Sequence, residues 1–144
     1  MKGWKLLLAV VVMGLLLMPI MENVFGTSVK RADLEVGGLH KASSAYYAPL
    51  SSGGSACAKF EAYVTNHGPS AVPYCRVYWY IDGERVASQI GPALNVDETK
   101  KVVSPSICTT PGRHEVRVEV QPPIGYVDPN PSNNIDEGYF WILS

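Results

Sequence analysis

The sequence predicts an all-β fold: a seven-stranded antiparallel sandwich of two sheets packed face to face, preceded by a short apolar leader. Three observations predict it. Past residue 26, apolar residues recur at period two in short runs with charged residues between them. Clusters of Gly, Pro, Asn and Asp part these runs roughly every ten residues. No segment past Gly26 carries an apolar stripe at the helical period. Composition agrees, with 13 Gly and 11 Pro in 144 residues, the size of one domain. Apolar residues are 47% and charged residues 17%, which excludes a disordered chain. Lys and Arg number 12 against 13 Asp and Glu, so the basic excess that a phosphate backbone demands is missing and nucleic acid is excluded as a main partner.

The leader comes first. Lys2 and Lys5 precede Leu6–Ile20, an uncharged run, in the basic-then-apolar order of a secretory signal peptide. The run is shorter than the roughly 20 residues that span a bilayer, and Val24-Phe25-Gly26 offers a cleavage site after Gly26. An uncleaved helical anchor from Trp4 to Met21, stopped by Glu22, is the alternative. Residues 1–26 are therefore a signal peptide or an N-terminal anchor, and residues 27–144 form the sandwich. Either way the sandwich is expected outside the cytoplasm, secreted or on the cell surface. It would touch membrane only through an uncleaved leader.

The strands follow in order. Ala32–Leu39 alternates Leu34 and Val36 with Asp33 and Glu35. Ala56–Asn66 places Ala58, Phe60, Ala62 and Val64 on one face, and His67-Gly68-Pro69-Ser70 turns the chain. Tyr74–Asp82 places Cys75, Val77, Trp79 and Ile81 inward, and Asp82-Gly83 is a strong hairpin signal before the return strand Glu84–Ile90. Asp97–Ile107 follows, with Pro105 marking an edge or bulge near its end. Arg113–Gln121 has the cleanest alternation: His114, Val116, Val118 and Val120 inward, Arg113, Glu115, Arg117 and Glu119 outward. A loop rich in Pro and Asn, Pro122–Asn134, leads to the last strand, Ile135–Leu143. This is the pattern of an immunoglobulin-like sandwich with a core of Phe60, Val64, Trp79, Ile81, Val116, Val118 and Trp141. Lys41–Ser55 is the longest loop and contains Tyr46 and Tyr47.

Export favours disulfides, and the chain has three cysteines, Cys57, Cys75 and Cys108. Strand order decides the pairing. Cys57 opens the second strand, and Cys108 ends the strand expected beside it, at the same end of the sandwich. Cys75 opens the third strand at the opposite end and points inward. The expected bond is Cys57–Cys108, leaving Cys75 as a buried thiol or an intermolecular link. There is no C-x-x-C spacing, and His40, His67 and His114 are dispersed, so no zinc site is read. His114 falls on the apolar face and reads as a satisfied core histidine. No G-x-S-x-G nucleophile motif occurs. Asp128, Asn130, Asn133, Asn134, Asp136 and Glu137 gather oxygen ligands that could hold calcium, but Asn and Asp also serve turns, and that reading is preferred. Tyr63, Tyr78 and Tyr80 point outward from their strands and, with Tyr46 and Tyr47, are candidate binding residues for a protein or a sugar.

Several short motifs then occur in order: Asp33-Leu34-Glu35-Val36, Tyr63-Val64-Thr65-Asn66-His67-Gly68, Tyr80-Ile81-Asp82-Gly83-Glu84-Arg85-Val86, Gly112-Arg113-His114-Glu115-Val116, and Asp128-Pro129 ahead of Ser132-Asn133-Asn134. Together they resemble the CARDB family, the cell adhesion related domain found in bacteria, over about Ala32 to Leu143. The resemblance implies a seven-stranded immunoglobulin-like sandwich without a general catalytic site, and a structural role for the Asn133-Asn134 pair. It implies no catalytic residues, and no resident metal or cofactor is read from the residues themselves. The expected function is an exported, non-enzymatic structural or adhesion protein working through protein contacts or self-assembly. One route is a surface filament in which Thr27–Leu39 enters a neighbour's sheet. The alternative is a secreted carbohydrate- or ligand-binding module.

Overall fold

The computed structural model describes residues 28–43 and 54–143. The leader helix, its cleavage site, and Tyr46 and Tyr47 lie outside the described residues. The rest is all β apart from one turn of 3-10 helix at Pro131–Asn133.

Ten strands replace the seven expected: β1 (Lys30–Lys41), β2 (Ala56–Ala58), β3 (Phe60–Pro69), β4 (Cys75–Ile81), β5 (Glu84–Gly91), β6 (Thr99–Val103), β7 (Ile107–Thr109), β8 (Gly112–Gln121), β9 (Tyr126–Val127) and β10 (Ile135–Ile142). One sheet runs β6-β3-β1-β9, the other β10-β8-β4-β5, and β2 pairs with β7 as a two-stranded ribbon. The extra strands come from two breaks and one addition. The expected strand Ala56–Asn66 breaks at Lys59, and Asp97–Ile107 breaks at Ser104-Pro105-Ser106. Pro105 has no N–H to continue a ladder. Buried Ser104 holds the corner there: its amide donates to Phe60 O at 2.8 Å, and its Oγ accepts the Phe60 amide at 2.9 Å. Inside the expected loop Pro122–Asn134, β9 pairs with Lys30 and Arg31 of β1, and it does so in parallel, so the sandwich is not wholly antiparallel. The expected turn at His67–Ser70 starts later, because β3 runs to Pro69.

The alternation decides what is inside. Leu34, Phe60, Val64, Val77, Trp79, Val116, Val118 and Val120 are fully buried between the sheets, with Ile81 nearly so. Phe140 packs edge-on against Phe60, with ring centroids 5.4 Å apart. The β4–β5 turn has positive φ at both Asp82 (49°) and Gly83 (83°), as a two-residue hairpin of matching twist requires. In β1, Gly38 sits at a bulge with φ +68°, and a Cβ there would stand 3.2 Å from the Tyr63 ring.

One expectation about the core is corrected. Trp141 is not in the core; it is 60% exposed, and Ile142 is buried in its place. The register explains this, since Trp141 lies opposite outward Arg113 and Phe140 opposite inward His114. Residues directly opposite share a face, so Arg113 carries Trp141 outward. The described part of Thr27–Leu39 is no free tail. It is β1, paired along β3, with Ala32, Leu34 and Val36 buried. Exchange into a neighbour would have to empty the middle of its own sheet.

Candidate functional site

The outer face of the β10-β8-β4-β5 sheet is the richest surface. Antiparallel register sets Tyr80 beside Arg117, Tyr78 beside Glu119, and Tyr139 beside Glu115. The Arg117 guanidinium lies 4.2 Å from the Tyr80 ring centroid and Arg113 lies 4.2 Å from that of Tyr139. Arg85 covers Tyr78 at 5.4 Å. The Tyr80 hydroxyl donates to Glu119 Oε2 at 3.2 Å, and the Tyr139 hydroxyl to Glu115 Oε2 at 3.3 Å. Burial, then the Glu119 carboxylate, pushes the Tyr80 phenol above its ordinary pKa. Stacked cations and anchored hydroxyls hold the rings in place, so the face is preorganised for contact.

Of the five tyrosines expected to bind, the three described ones do not share one face. Tyr78 and Tyr80 share this face, half-buried under arginines. Tyr63 projects from β3 on the opposite sheet, stacked with His40 at 6.3 Å between ring centroids. Tyr46 and Tyr47 are outside the described residues. The most exposed aromatics of the face are Tyr139 (61%) and Trp141 (60%), which were not read as binding residues. The apolar run Tyr139-Phe140-Trp141-Ile142 hides which of its members point out. Pairing with charged Arg113 and Glu115 was the available signal.

The Asp/Asn loop is wired into the strands. Asp128 accepts the Leu34 amide at 3.0 Å, the Asn130 amide at 2.9 Å and Asn134 Nδ2 at 3.1 Å. Asn133 Nδ2 donates to Asp33 at 2.9 Å. Asp136 accepts the Leu39 amide and the Glu137 amide, both at 2.9 Å. Asp128 and Asp136 therefore cap outward amides along β1, a strand edge that no full-length neighbour pairs. Among the described residues, no group of three or more His, Cys, Asp or Glu could hold a metal ion.

Cys57 and Cys108 are bonded, directly opposite each other in the β2–β7 ribbon with Cα atoms 4.0 Å apart. Cys75 is fully buried, and burial pushes its thiol pKa up to about 11. An intermolecular link through Cys75 would require the sheet to open.

Buried His114 meets an acceptor at each ring nitrogen: Asp82 Oδ2 lies 2.6 Å from Nδ1 and the Thr110 carbonyl 2.7 Å from Nε2. Two acceptors call for two N–H donors, hence the imidazolium. The Asp82 contact, then Thr110, raises the His114 pKa, while the His114 contact, then the Glu115 amide, lowers that of Asp82. With both nitrogens engaged, this pair cannot serve as a general base; it ties the hairpin turn to the Thr110 loop. A raised histidine stabilises fully below its unfolded value of roughly 6.5 and loses that stability as pH climbs through the folded value. The lowered Asp82 stabilises above roughly 3.9 and loses its share as pH falls through its own folded value. Melting temperature is expected to decline from pH 6 upward in the native protein. In the His114→Gln variant that decline should vanish; an unchanged slope would place its origin elsewhere.

Comparison with known proteins gives a consistent picture. A family model described as CARDB matches residues 31–137. The crystal structure of a CARDB domain from a Pyrococcus furiosus protein, in complex with di-metal ions, superposes with a TM-score of 0.55 at 20% identity, covering 82% of this chain and 94% of that one. A domain of a Methanosarcina acetivorans protein described as a cell-surface protein gives 0.55 at 19% identity, over 79% of this chain and 94% of that chain. An Amycolatopsis orientalis exo-chitosanase gives 0.54 at 18% identity over 76% of this chain but only 13% of its own length. At these identities the likeness is one of fold. The comparison with curated proteins finds no match.

Proposed function

The chain belongs to the CARDB family, and from that premise we propose that it is an exported structural or adhesion protein of the cell surface that acts by protein–protein contact and catalyses nothing. One observation carries the reading: the outer face of the β10-β8-β4-β5 sheet, where arginines stack on tyrosines and Tyr139 and Trp141 project beyond them. Aromatic residues and arginine dominate the energetics of protein contacts, because they bring large rigid area and planar donors at low entropic cost. Glu115 and Glu119 alternate with Arg113 and Arg117 along β8, so a partner meets charges of both signs. Such a pattern selects orientation more than it adds affinity. Filament assembly by exchange of Thr27–Leu39 is not part of the proposal, because β1 occupies its own sheet.

A second reading, carbohydrate binding, is favoured by Tyr139 and Trp141 alone. They project from alternate positions of an edge strand, and two exposed rings on one face suit the apolar side of a sugar. The test separates the two. The fluorescently labelled full chain is measured for binding to the surface of its own cells. Replacing Tyr139 and Trp141 together by Ser is expected to weaken binding about tenfold or more, the loss typical of exposed aromatic anchors. Protease treatment of the cells should remove the sites. Binding that survives protease but is competed by a glycan would establish the second reading, and binding indifferent to the double substitution would sink both.

A further inference from the structure

We propose that the end of the sandwich where β1 begins rests on the lipid surface of a membrane, its exposed aliphatic side chains seated among anionic headgroups, with residues 1–26 kept as the anchor. The face carrying Tyr139 and Trp141 is not used, so this inference stands apart from the contact reading above.

Three stretches build this end, and none contains a charged residue: Ser70–Tyr74, Gly91–Val96 and Pro122–Val127. A bridge between Val72 and Leu94 ties the first two, with amide-to-carbonyl distances of 2.9 and 3.0 Å. The Ser70 amide donates to the Arg31 carbonyl at 3.1 Å, and parallel pairing sets Lys30 beside Tyr126. The start of β1 and the third stretch therefore share the same end. The Tyr126 amide closes a turn on the Pro123 carbonyl at 3.1 Å, with Gly125 at φ +89°. Ile124 stands at the tip of that turn. At 81% exposure it is the most exposed large apolar side chain among the described residues. The register sets Val29 level with Gly125, and Val29 and Val127 are both more than half-exposed or close to it.

Cations surround this tip. Lys30 and Arg31 are exposed beside it, with Lys30 Nζ 5.5 Å from the Tyr126 ring centroid. Arg76 Nε donates to the Pro122 carbonyl at 3.1 Å. Lys100 Nζ donates to the Ala93 carbonyl at 2.8 Å while also pairing with Glu98. The neighbouring acids stand further back. Asp33, Asp97, Glu98 and Asp128 lie level with Ala32 to Leu34, two to four residues behind Lys30, or roughly 7–13 Å. The opposite end presents Asp82 and Glu84 at its hairpin instead. An apolar tip inside a ring of cations suits an anionic lipid surface, where aliphatic side chains enter the boundary and Lys and Arg meet the headgroups.

The chain itself points to lipid. Its uncharged run Leu6–Ile20 is followed by Glu22, and six residues later by Ser28, where β1 is about to start. Six residues reach at most about 20 Å. A bilayer spanned by the leader therefore lies within reach of the end that carries Ile124. A few aliphatic side chains are a weak membrane signal alone, but a short tether gives them a high effective concentration at the surface. The seating also orients the contact face. β10 runs from Ile135 at this end to Ile142 at the other, which lifts Trp141 about 20 Å further from the membrane.

The test uses the full chain with its leader, reconstituted in vesicles of phosphatidylcholine and phosphatidylglycerol in which some lipid carries a nitroxide. An environment-sensitive dye is attached at Ile124→Cys or, at the opposite end, at Glu84→Cys. Cys75 is buried and the other two cysteines are bonded, so only the new thiol reacts. The dye at position 124 is expected to shift its emission to the blue and to be quenched by the nitroxide lipid. The dye at position 84 should do neither. Quenching at 124 should weaken severalfold on adding Lys30→Gln with Arg31→Gln, and again in vesicles of phosphatidylcholine alone. Lys30 and Arg31 are exposed, so these substitutions leave the core intact. Equal quenching at both positions, or none at 124, overturns the seating. So does a chain that its own cells release into the medium with residues 1–26 removed.

Discussion

Replacing Cys57 and Cys108 together by Ala is expected to lower the free energy of unfolding by about 4 kcal/mol, the chain-entropy value for a loop of this size. The bond joins residues 51 apart in sequence and closes a loop holding β3, β4, β5 and β6. In the unfolded chain, that constraint removes much of the freedom that folding would otherwise have to overcome. In the native state it locks the β2–β7 ribbon, which is only three residues a side and would hold poorly by its ladder alone. The measurement is a urea titration of both proteins. The midpoint should fall sharply in the variant, and the slope should rise modestly as its unfolded state expands. Cys75 does not compensate, because a buried thiol with its pKa near 11 stays protonated and out of exchange. A loss below about 1 kcal/mol would mean that the reduced chain keeps the loop closed by other contacts.

Asp128→Ala should cost about 3 kcal/mol, by leaving the amide of fully buried Leu34 without a partner and releasing the loop from β1. Asp128 accepts three hydrogen bonds from three separate donors, so its loss is felt in β1, in the turn at Asn130 and at Asn134 together. Asp128→Asn keeps one acceptor oxygen and should cost about half as much. Hydrogen exchange at the Leu34 amide reads the local effect and should quicken in both variants. Added calcium should leave the native urea midpoint where it is. A calcium-dependent rise, abolished by Asp128→Ala, would instead make this loop a cation site.

Much of the architecture was legible from local pattern. Period-two alternation located every long strand, because the pleat sends successive side chains to opposite faces wherever the strand ends up. Asp82-Gly83 announced its hairpin through the positive φ that both positions adopt. The Cys57–Cys108 bond followed from which strand ends share one end of the sandwich. His114 was read correctly as a satisfied core residue, although its partners Asp82 and Thr110 come from turns whose approach no local pattern reports. Trp141 was misplaced because four consecutive apolar residues carry no phase of their own; Arg113, on a neighbouring strand, supplies it. Which tyrosines share a surface was not legible, because alternation gives a side of a strand and not the sheet to which the strand belongs. Tyr63 and Tyr80 are both outward, yet on opposite layers.

The sequence by itself determined the long strands, most of their inward residues, the disulfide and the family. Only the tertiary structure decided which backbone edges meet a partner. It put the carboxylates of Asp128 and Asp136 on β1. The reason is physical. A side chain's direction follows from its own backbone at period two, whereas the coverage of an edge depends on residues about a hundred positions away in the chain, as Leu39 and Asp136 are, brought near only when the two sheets close on their shared core.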